Sequence, residues 1–303
     1  MLKAPNLLLN PLKRLQPFIN KNTKASSFSW CFFHSLNLKF TQKLSKGGKM
    51  KKNITLFILL LLVLSFSLNI SAESYSWYII RNNENKQPQT DSRYSFIEKY
   101  NAFYLNKNYT NESRDKVIYL TFDAGYSNEN LKSILDTLKE ENVTAAFFIL
   151  SNLVLKSPDI VKQMANDGHF VCNHTSKHLD ISKASNKDEI KTEIKKLEDV
   201  YRDLTGEEMK KYFRPPEGRF NEESISYINE LGYKTVFWSF AYEDWDNEKQ
   251  PSLAYAKQKI FANLHNGEIM LLHPTSKTNA AILKDVISEL KSRGYRFGTL
   301  DEL

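Results

Sequence analysis

The chain has 303 residues, 41% of them hydrophobic, with 42 Lys and Arg against 35 Asp and Glu, a formal net charge of +7 and two cysteines. That length admits two domains or one large barrel. The basicity belongs to one end: residues 1–72 hold eleven of the 42 basic residues and none of the acids, leaving 31 against 35 and a formal net charge of −4 for residues 73–303, so no nucleic-acid partner is implied.

Residues 1–49 show neither helical nor strand periodicity and end in Lys46-Gly-Gly-Lys49 just before Met50. Lys-Gly-Gly can be encoded by a purine run like a bacterial ribosome-binding site, so this stretch reads as an over-extended start with no structure of its own. An organelle transit peptide is the rival, but it would not normally precede a secretory signal. Residues 50–72 have the parts of such a signal: basic Lys51-Lys52, an apolar run from Ile54 to Leu68, and a small-residue end at Ser71-Ala72. The run is shorter than the roughly 20 residues that span a bilayer comfortably, so cleavage after Ala72 is expected, with an uncleaved anchor as the alternative. Export to a cell envelope is the expectation. Cys31 lies in this leader, which leaves Cys172 alone in an apolar strand context, with no intramolecular disulfide and burial as its expected fate.

Residues 73–115 are polar and aromatic without clean periodicity and read as an N-terminal arm packed on a catalytic domain of residues 116–303. From Lys116 the pattern turns regular. Strands are predicted over 116–122, 144–150, 169–173, 211–214, 234–240, 268–273 and 295–300. Helices are predicted over 128–141, 158–167, 187–204, 222–231, 253–264 and 279–293, most of them closed by a glycine. Seven strands alternating with helices predict an α/β fold with a parallel sheet, and polar residues at strand ends all around the order favour a distorted (β/α) barrel over an open sheet with one crevice.

Those strand ends carry Asp123, His174 with His178, Arg214, Asp244 and His273. Each has a plain structural reading: Asp123 as the cap of the helix starting near Asn128, Arg214 before two prolines as a loop residue, Asp244-Trp245 as a turn, His273 as a satisfied core histidine, and His174/His178 as a chance His-x-x-x-His, although on a helical turn that spacing aims both rings at one ion. Jointly they have the parts for metal-assisted hydrolysis. Two histidines hold a divalent ion, Asp123 takes a proton from water, Arg214 keeps Asp123 ionised, and His273, oriented by Asp244, protonates the leaving amine.

The motifs Thr121-Phe-Asp-Ala-Gly125, His174-Thr-Ser-Lys-His178, Arg214-Pro-Pro-Glu-Gly218, Asp244-Trp245 and Leu271-Leu-His-Pro274 resemble those of the polysaccharide deacetylases that share the NodB homology domain, over residues 116–303. The resemblance implies a distorted (β/α) barrel that removes acetyl groups from acetylated sugars. It also implies Asp123 as base, Arg214 as its partner, His174 and His178 as ligands of a divalent metal ion, zinc foremost, Asp244 as orienter and His273 as acid. Glu217 would supply an oxyanion donor through its backbone N–H, and Trp245 a substrate contact.

A narrower likeness appears in Ala124-Gly-Tyr126, Phe237-Trp-Ser-Phe-Ala-Tyr-Glu-Asp-Trp245, Ser276-Lys-Thr-Asn-Ala280 and Lys99-Tyr-Asn-Ala-Phe-Tyr104. These are similar to the muramic acid de-N-acetylases that lead to the δ-lactam of bacterial spore cortex. The implied substrate is N-acetylmuramic acid in peptidoglycan glycan strands, with no protein partner implied. The alternatives are an N-acetylglucosamine deacetylase of peptidoglycan or chitin and, in another class, a carbohydrate-binding protein on a deacetylase scaffold. Two positions depart from the family pattern. Ala124 stands where most members carry the acid that is the third metal ligand, and Phe240-Ala241 stands where the fourth motif usually opens with a further Asp.

Overall fold

A computed structural model describes residues 73–82 and 84–303; the expected over-extended start and signal segment lie outside them. Among the described residues no helix is long and apolar enough to cross a membrane. The first stretch supplies β1 (Tyr75–Ser76), β2 (Ile79–Ile80), β3 (Gln89–Thr90), a 3-10 segment over Ser92–Tyr100 and β4 (Ala102–Phe103). Then follow β5 (Lys116–Ala124), α1 (Glu129–Glu140), β6 (Ala146–Ile149), α2 (Ser151–Lys156), α3 (Pro158–Asn166), β7 (Phe170–Asn173), α4 (Lys187–Thr205) and β8 (Lys210–Phe213). The last part runs β9 (Arg219–Phe220), α5 (Glu222–Glu230), β10 (Lys234–Val236), α6 (Leu253–Ala262), β11 (Glu268–Leu272), α7 (Lys277–Ser292) and β12 (Tyr295–Phe297).

Eight of these strands form one sheet in the order β11-β5-β6-β7-β8-β10-β4, with β12 also on β5, and each of its strand pairings is parallel. Seven of them, β5 to β8 and β10 to β12, are the seven predicted strands, curled into the distorted (β/α) barrel. The open ends of the path are drawn together, because Phe240 beyond β10 bridges Met270 of β11 in parallel and Leu105 beyond β4 bridges Glu268. Gly267 shows how closely the first stretch approaches: at φ 71° a Cβ there would sit 2.3 Å from the Asn106 carbonyl oxygen, too close for any side chain.

The two-residue period of β5 sorts its side chains. Val117 and Tyr119 pack with Ala146, Phe148, Cys172 and Ile269 from neighbouring strands, inside the barrel. Ile118, Leu120 and Phe122 instead meet the apolar faces of α1 and α7, among them Leu131, Ile134, Ile282 and Val286. Thr121 and Asp123 continue the inward parity, so the strand that builds the core also aims a carboxylate into the barrel mouth. Helix α1 is capped by Asn128, whose side chain accepts from the N–H groups of Asn130 and Leu131. Asp123 therefore does not serve as that cap.

Several expectations shift. The strand predicted over 234–240 stops at Val236, because the carbonyls of Val236 and Phe237 are taken by the buried Arg214 side chain and are lost to a regular ladder. Helix α7 starts at Lys277 rather than Asn279, with Ser276 accepting from the Asn279 N–H as its cap. Short α2 was not expected, nor were β1 and β9, which pair antiparallel. Trp77 ties the first stretch down: its N–H donates to the Gly218 carbonyl (2.8 Å), its indole N–H to the Trp238 carbonyl (2.9 Å), and its ring stacks on Phe237 with centroids 4.3 Å apart.

Candidate active site

Loops at the C-terminal ends of β5, β6, β7, β8, β10 and β11 enclose a cleft of about 850 Å³ lined by Asp123, His174, His178, Glu217, Trp245 and His273, with Arg81, Tyr126 and Trp238 among its other walls. Arg214 lies beneath it, fully buried, its guanidinium 4.1 Å from the centroid of the Phe148 ring. Burial of a cation is costly unless its donors are matched. Here Nη1 donates to Asp123 Oδ1 (2.7 Å), Nη2 to Thr121 Oγ1 (2.9 Å) and the Phe237 carbonyl (3.2 Å), and Nε to the Val236 carbonyl (2.9 Å). Arg214 is thus a fixed counter-charge under Asp123, not a surface loop residue.

Burial tends to raise the Asp123 carboxyl, but the charge of Arg214, the His174 and His273 rings beside it and the Arg214 hydrogen bond outweigh it and hold the group below its ordinary value. Its Oδ2 lies 3.7 Å from His174 Nε2. His174 Nδ1–H donates to the Arg214 carbonyl (2.7 Å), which fixes the tautomer that leaves Nε2 free, the arrangement found behind metal-binding histidines. Burial pushes His174 down to about 4, so the ring is neutral and able to act as a ligand.

The His-x-x-x-His pair is not on a helical turn. Residues 174–178 form a loop in which Thr175 (φ 69°) and His178 (φ 62°) adopt left-handed backbone. It is pinned by the Thr175 N–H on Asn173 Oδ1 (2.9 Å) and the Leu179 N–H on Thr175 Oγ1 (3.0 Å). The loop still brings the rings together, with centroids 5.2 Å apart. Among the described residues no group of three His, Cys, Asp or Glu side chains is arranged to hold a metal ion, and Ala124 is buried in β5 with no donor to offer. The donor set fits a divalent ion held by His174 and His178 on one side, its shell completed by Asp123 Oδ2, water or substrate.

Across the cleft, His273 is not a core histidine. Its side chain is 26% exposed, and its Nδ1–H donates to Asp244 Oδ1 (2.7 Å). Asp244 is almost fully buried and also accepts on Oδ2 from the His273 backbone N–H (2.7 Å) and from Asn279 Nδ2–H (2.6 Å). Burial alone would depress His273, but the hydrogen bond and charge of Asp244, then the charge of Asp123, raise it above its ordinary value. That shift favours the cationic ring, whose Nε2 faces the cleft. An ionised carboxylate and an imidazolium over one cavity can take a proton from water and give one to a departing amine.

Glu217 takes φ 53°, and its carboxylate is held 2.9 Å from Arg219 Nη2. The neighbouring Gly218 (φ 63°) has no room for a Cβ, which would fall 2.8 Å from both Trp77 and Trp238. Trp245 is 62% exposed at the rim, as is Tyr126 at 49%, the Tyr126 hydroxyl accepting from Asn247 Nδ2–H (2.6 Å). Sequence reasoning placed Thr121, Asn279 and Tyr242 inside motifs but gave them no role; the Tyr242 hydroxyl donates to Asn279 Oδ1. Strand parity could have found Thr121, two residues before Asp123. Asn279 lies within the Ser276–Ala280 motif, whereas nothing local marks Arg81 as belonging to the site.

The polysaccharide deacetylase family profile matches residues 110–236. The peptidoglycan-N-acetylmuramic acid deacetylase PdaA of Bacillus subtilis is 38% identical over 233 residues, covering 76% of this chain and 86% of that protein. A peptidoglycan-N-acetylglucosamine deacetylase of Bacillus cereus is 32% identical over 248 residues, 79% of this chain and 86% of its own length. The solved structure of Bacillus subtilis PdaA, a family 4 carbohydrate esterase, superposes with a TM-score of 0.71 at 37% identity, covering 76% of this chain and 97% of that one.

Proposed function

This chain belongs to the polysaccharide deacetylase family, and we propose that it is an exported, divalent-metal-dependent hydrolase that removes the N-acetyl group from N-acetylmuramic acid residues of peptidoglycan. One observation carries the hydrolytic reading: Asp123 over Arg214 and His273 on Asp244 face the same cleft in opposite charge states. The muramic substrate is supported by the 38% identity to a protein named for that activity.

The chemistry is a hydrolysis in which water adds to the acetamide carbonyl and the C–N bond then breaks. Asp123 Oδ2 accepts the proton of the attacking water, while Oδ1 stays on Arg214. The His273 Nε2–H protonates the sugar nitrogen as it leaves, giving the free amine and acetate. Asp244 holds the tautomer and supports the cation through the step. The backbone N–H of Glu217 is the donor assigned to the tetrahedral oxygen, and exposed Trp245 provides a flat apolar surface for a sugar face. A divalent ion held by His174 and His178, zinc foremost, would polarise the carbonyl and water as a Lewis acid.

In muramic acid the lactyl ether sits on the carbon next to the acetamide. The freed amine can close onto the lactyl carboxyl when no peptide occupies it, so muramic δ-lactam of spore cortex is the eventual product, and the forespore envelope the place of action. Mass spectrometry of defined glycans incubated with the chain tests this. Loss of acetyl from peptide-free muramic residues, followed by loss of water, is expected. Equal activity on chitin oligomers would favour the N-acetylglucosamine reading, and no deacetylation of any glycan the binding-protein reading. Chelation should abolish turnover and a divalent ion restore it, with elemental analysis following the metal; full activity of metal-free protein would remove His174 and His178 from the ligand role.

A further inference from the structure

The cleft contains one cation that the reaction does not use. Arg81 follows β2 and is exposed, and it is the only Arg or Lys among the described residues lining the cavity. Its position is set by the aromatic anchor four residues earlier: Trp77 is fixed on Gly218 and Trp238, and Arg81 then lies over the Phe240 ring (5.6 Å to the centroid) with Nη2–H donating to the Ala241 carbonyl. These contacts occupy one face and one N–H of a group that carries five donors in a rigid fork. Arg81 forms no ion pair among the described residues. The acids that share the cleft are Asp123, engaged by Arg214, Glu217, engaged by Arg219, and Glu243.

We infer that Arg81 is the specificity-determining residue that reads the free lactyl carboxylate of a muramic residue, an inference that rests on the muramic reading above. The acetamide to be cleaved and the lactyl ether sit on neighbouring ring carbons, so a residue bound with its acetamide at Asp123 and His273 carries its carboxylate within the same cleft. N-acetylglucosamine has a neutral hydroxyl at that carbon, and a muramic residue bearing stem peptide has a neutral amide. Only the peptide-free muramic residue presents an anion there, and a guanidinium with an open fork pairs with a carboxylate through two parallel hydrogen bonds. Because Arg81 is exposed, the pair is screened and its effect is one of selectivity rather than raw affinity. The resulting discrimination is on the order of tenfold, expressed mainly in KM because the charge is the same in ground state and transition state.

The test compares two substrates on each protein: a muramic-containing oligosaccharide with a free lactyl carboxylate and the same oligosaccharide with that carboxyl as its methyl amide, acetate release being followed on the full chain with its metal. The wild type should favour the free acid about tenfold in kcat/KM, with the preference shrinking as salt is raised. In Arg81→Gln the ratio should fall toward one, and Arg81→Lys should retain part of it. Each ratio is internal to one protein, so any general loss from a loosened N-terminal stretch cancels. An Arg81→Gln ratio equal to that of the wild type, or a wild type that takes acid and amide equally well, overturns the role of Arg81 while leaving muramic deacetylation standing. Wild-type activity on chitin oligomers with none on either muramic substrate overturns both readings.

Discussion

Two histidine–carboxylate pairs bracket the same strand, and they behave in opposite ways. At the C-terminal end of β11, His273 sits on Asp244 with its side chain 26% exposed to the cleft and is raised above its ordinary value. At the N-terminal end, His265 and Glu268 are sealed, their side chains 1% and 0% exposed and 3.3 Å apart. There the imidazole Nδ1–H donates to the Asn263 carbonyl (2.8 Å), Nε2 accepts from the Ser239 hydroxyl (2.8 Å), and Glu268 Oε2 accepts the His265 backbone N–H (3.1 Å). Burial pushes His265 down to about 4 and Glu268 well above the usual carboxylate range. Both groups are therefore neutral, and Ser239–His265–Glu268 has the residue types of a nucleophile–base–acid set without an opening to substrate. Solvent access and a charged partner, not residue type, separate the reactive histidine from the structural one.

The largest expected difference between the two pairs is in turnover. Asp123→Asn removes the proton acceptor and His273→Ala the proton donor, and each should lower kcat on the order of a hundredfold or more; His273→Ala should leave the melting temperature close to that of the wild type, while Asp123→Asn should also lower it by taking the counter-charge from buried Arg214. His265→Gln should do the reverse, lowering the melting temperature with kcat within a few-fold. A purified His273→Ala protein with near-normal turnover would end the acid assignment.

A smaller effect lies in the alkaline limb of the pH profile. His273 must be protonated to act, and its pairing with Asp244 raises its value above the ordinary 6.5, so kcat/KM should persist to a pH above that figure before it falls. Asp244→Asn removes the charge that sustains the cation. The limb should then move to lower pH, with turnover reduced roughly tenfold or beyond. An unmoved limb would mean that another group sets it.

The smallest expected effect is on stability against pH, where the sealed pair titrates with opposite signs. For His265 the folded value of about 4 lies below the ordinary 6.5, so the unfolded chain binds more protons between the two and stability falls as pH drops through that window. Glu268 is raised from 4.5, so the folded state binds more protons and stability falls as pH rises above 4.5. Denaturant melts should show His265→Gln with a shallower loss from pH 6.5 to 4, a difference of up to about 3 kcal/mol, and Glu268→Gln with a shallower loss above pH 4.5. Parallel curves for variants and wild type would show that the pair does not titrate on unfolding.

Local pattern determined much of this protein. Alternation of strands and helices from Lys116 onward, inward parity along β5 and five polar strand ends predicted a parallel barrel with Asp123, His174, His178, Arg214, Asp244 and His273 near one mouth, because period and strand direction are properties of a few consecutive residues. Tertiary structure decided what such windows do not contain. The loop that converges His174 and His178 depends on two left-handed residues and a side-chain clasp rather than a helix. Strand β10 ends early because a distant arginine takes its carbonyls. Arg81 reaches the cleft only because Trp77, in a stretch without periodicity, is bound to Gly218 and Trp238 more than 140 residues away in sequence. The same distinction separates His273 from His265: both flank one apolar strand, and only the packing around each end determines which is protonated, which is open and which can react.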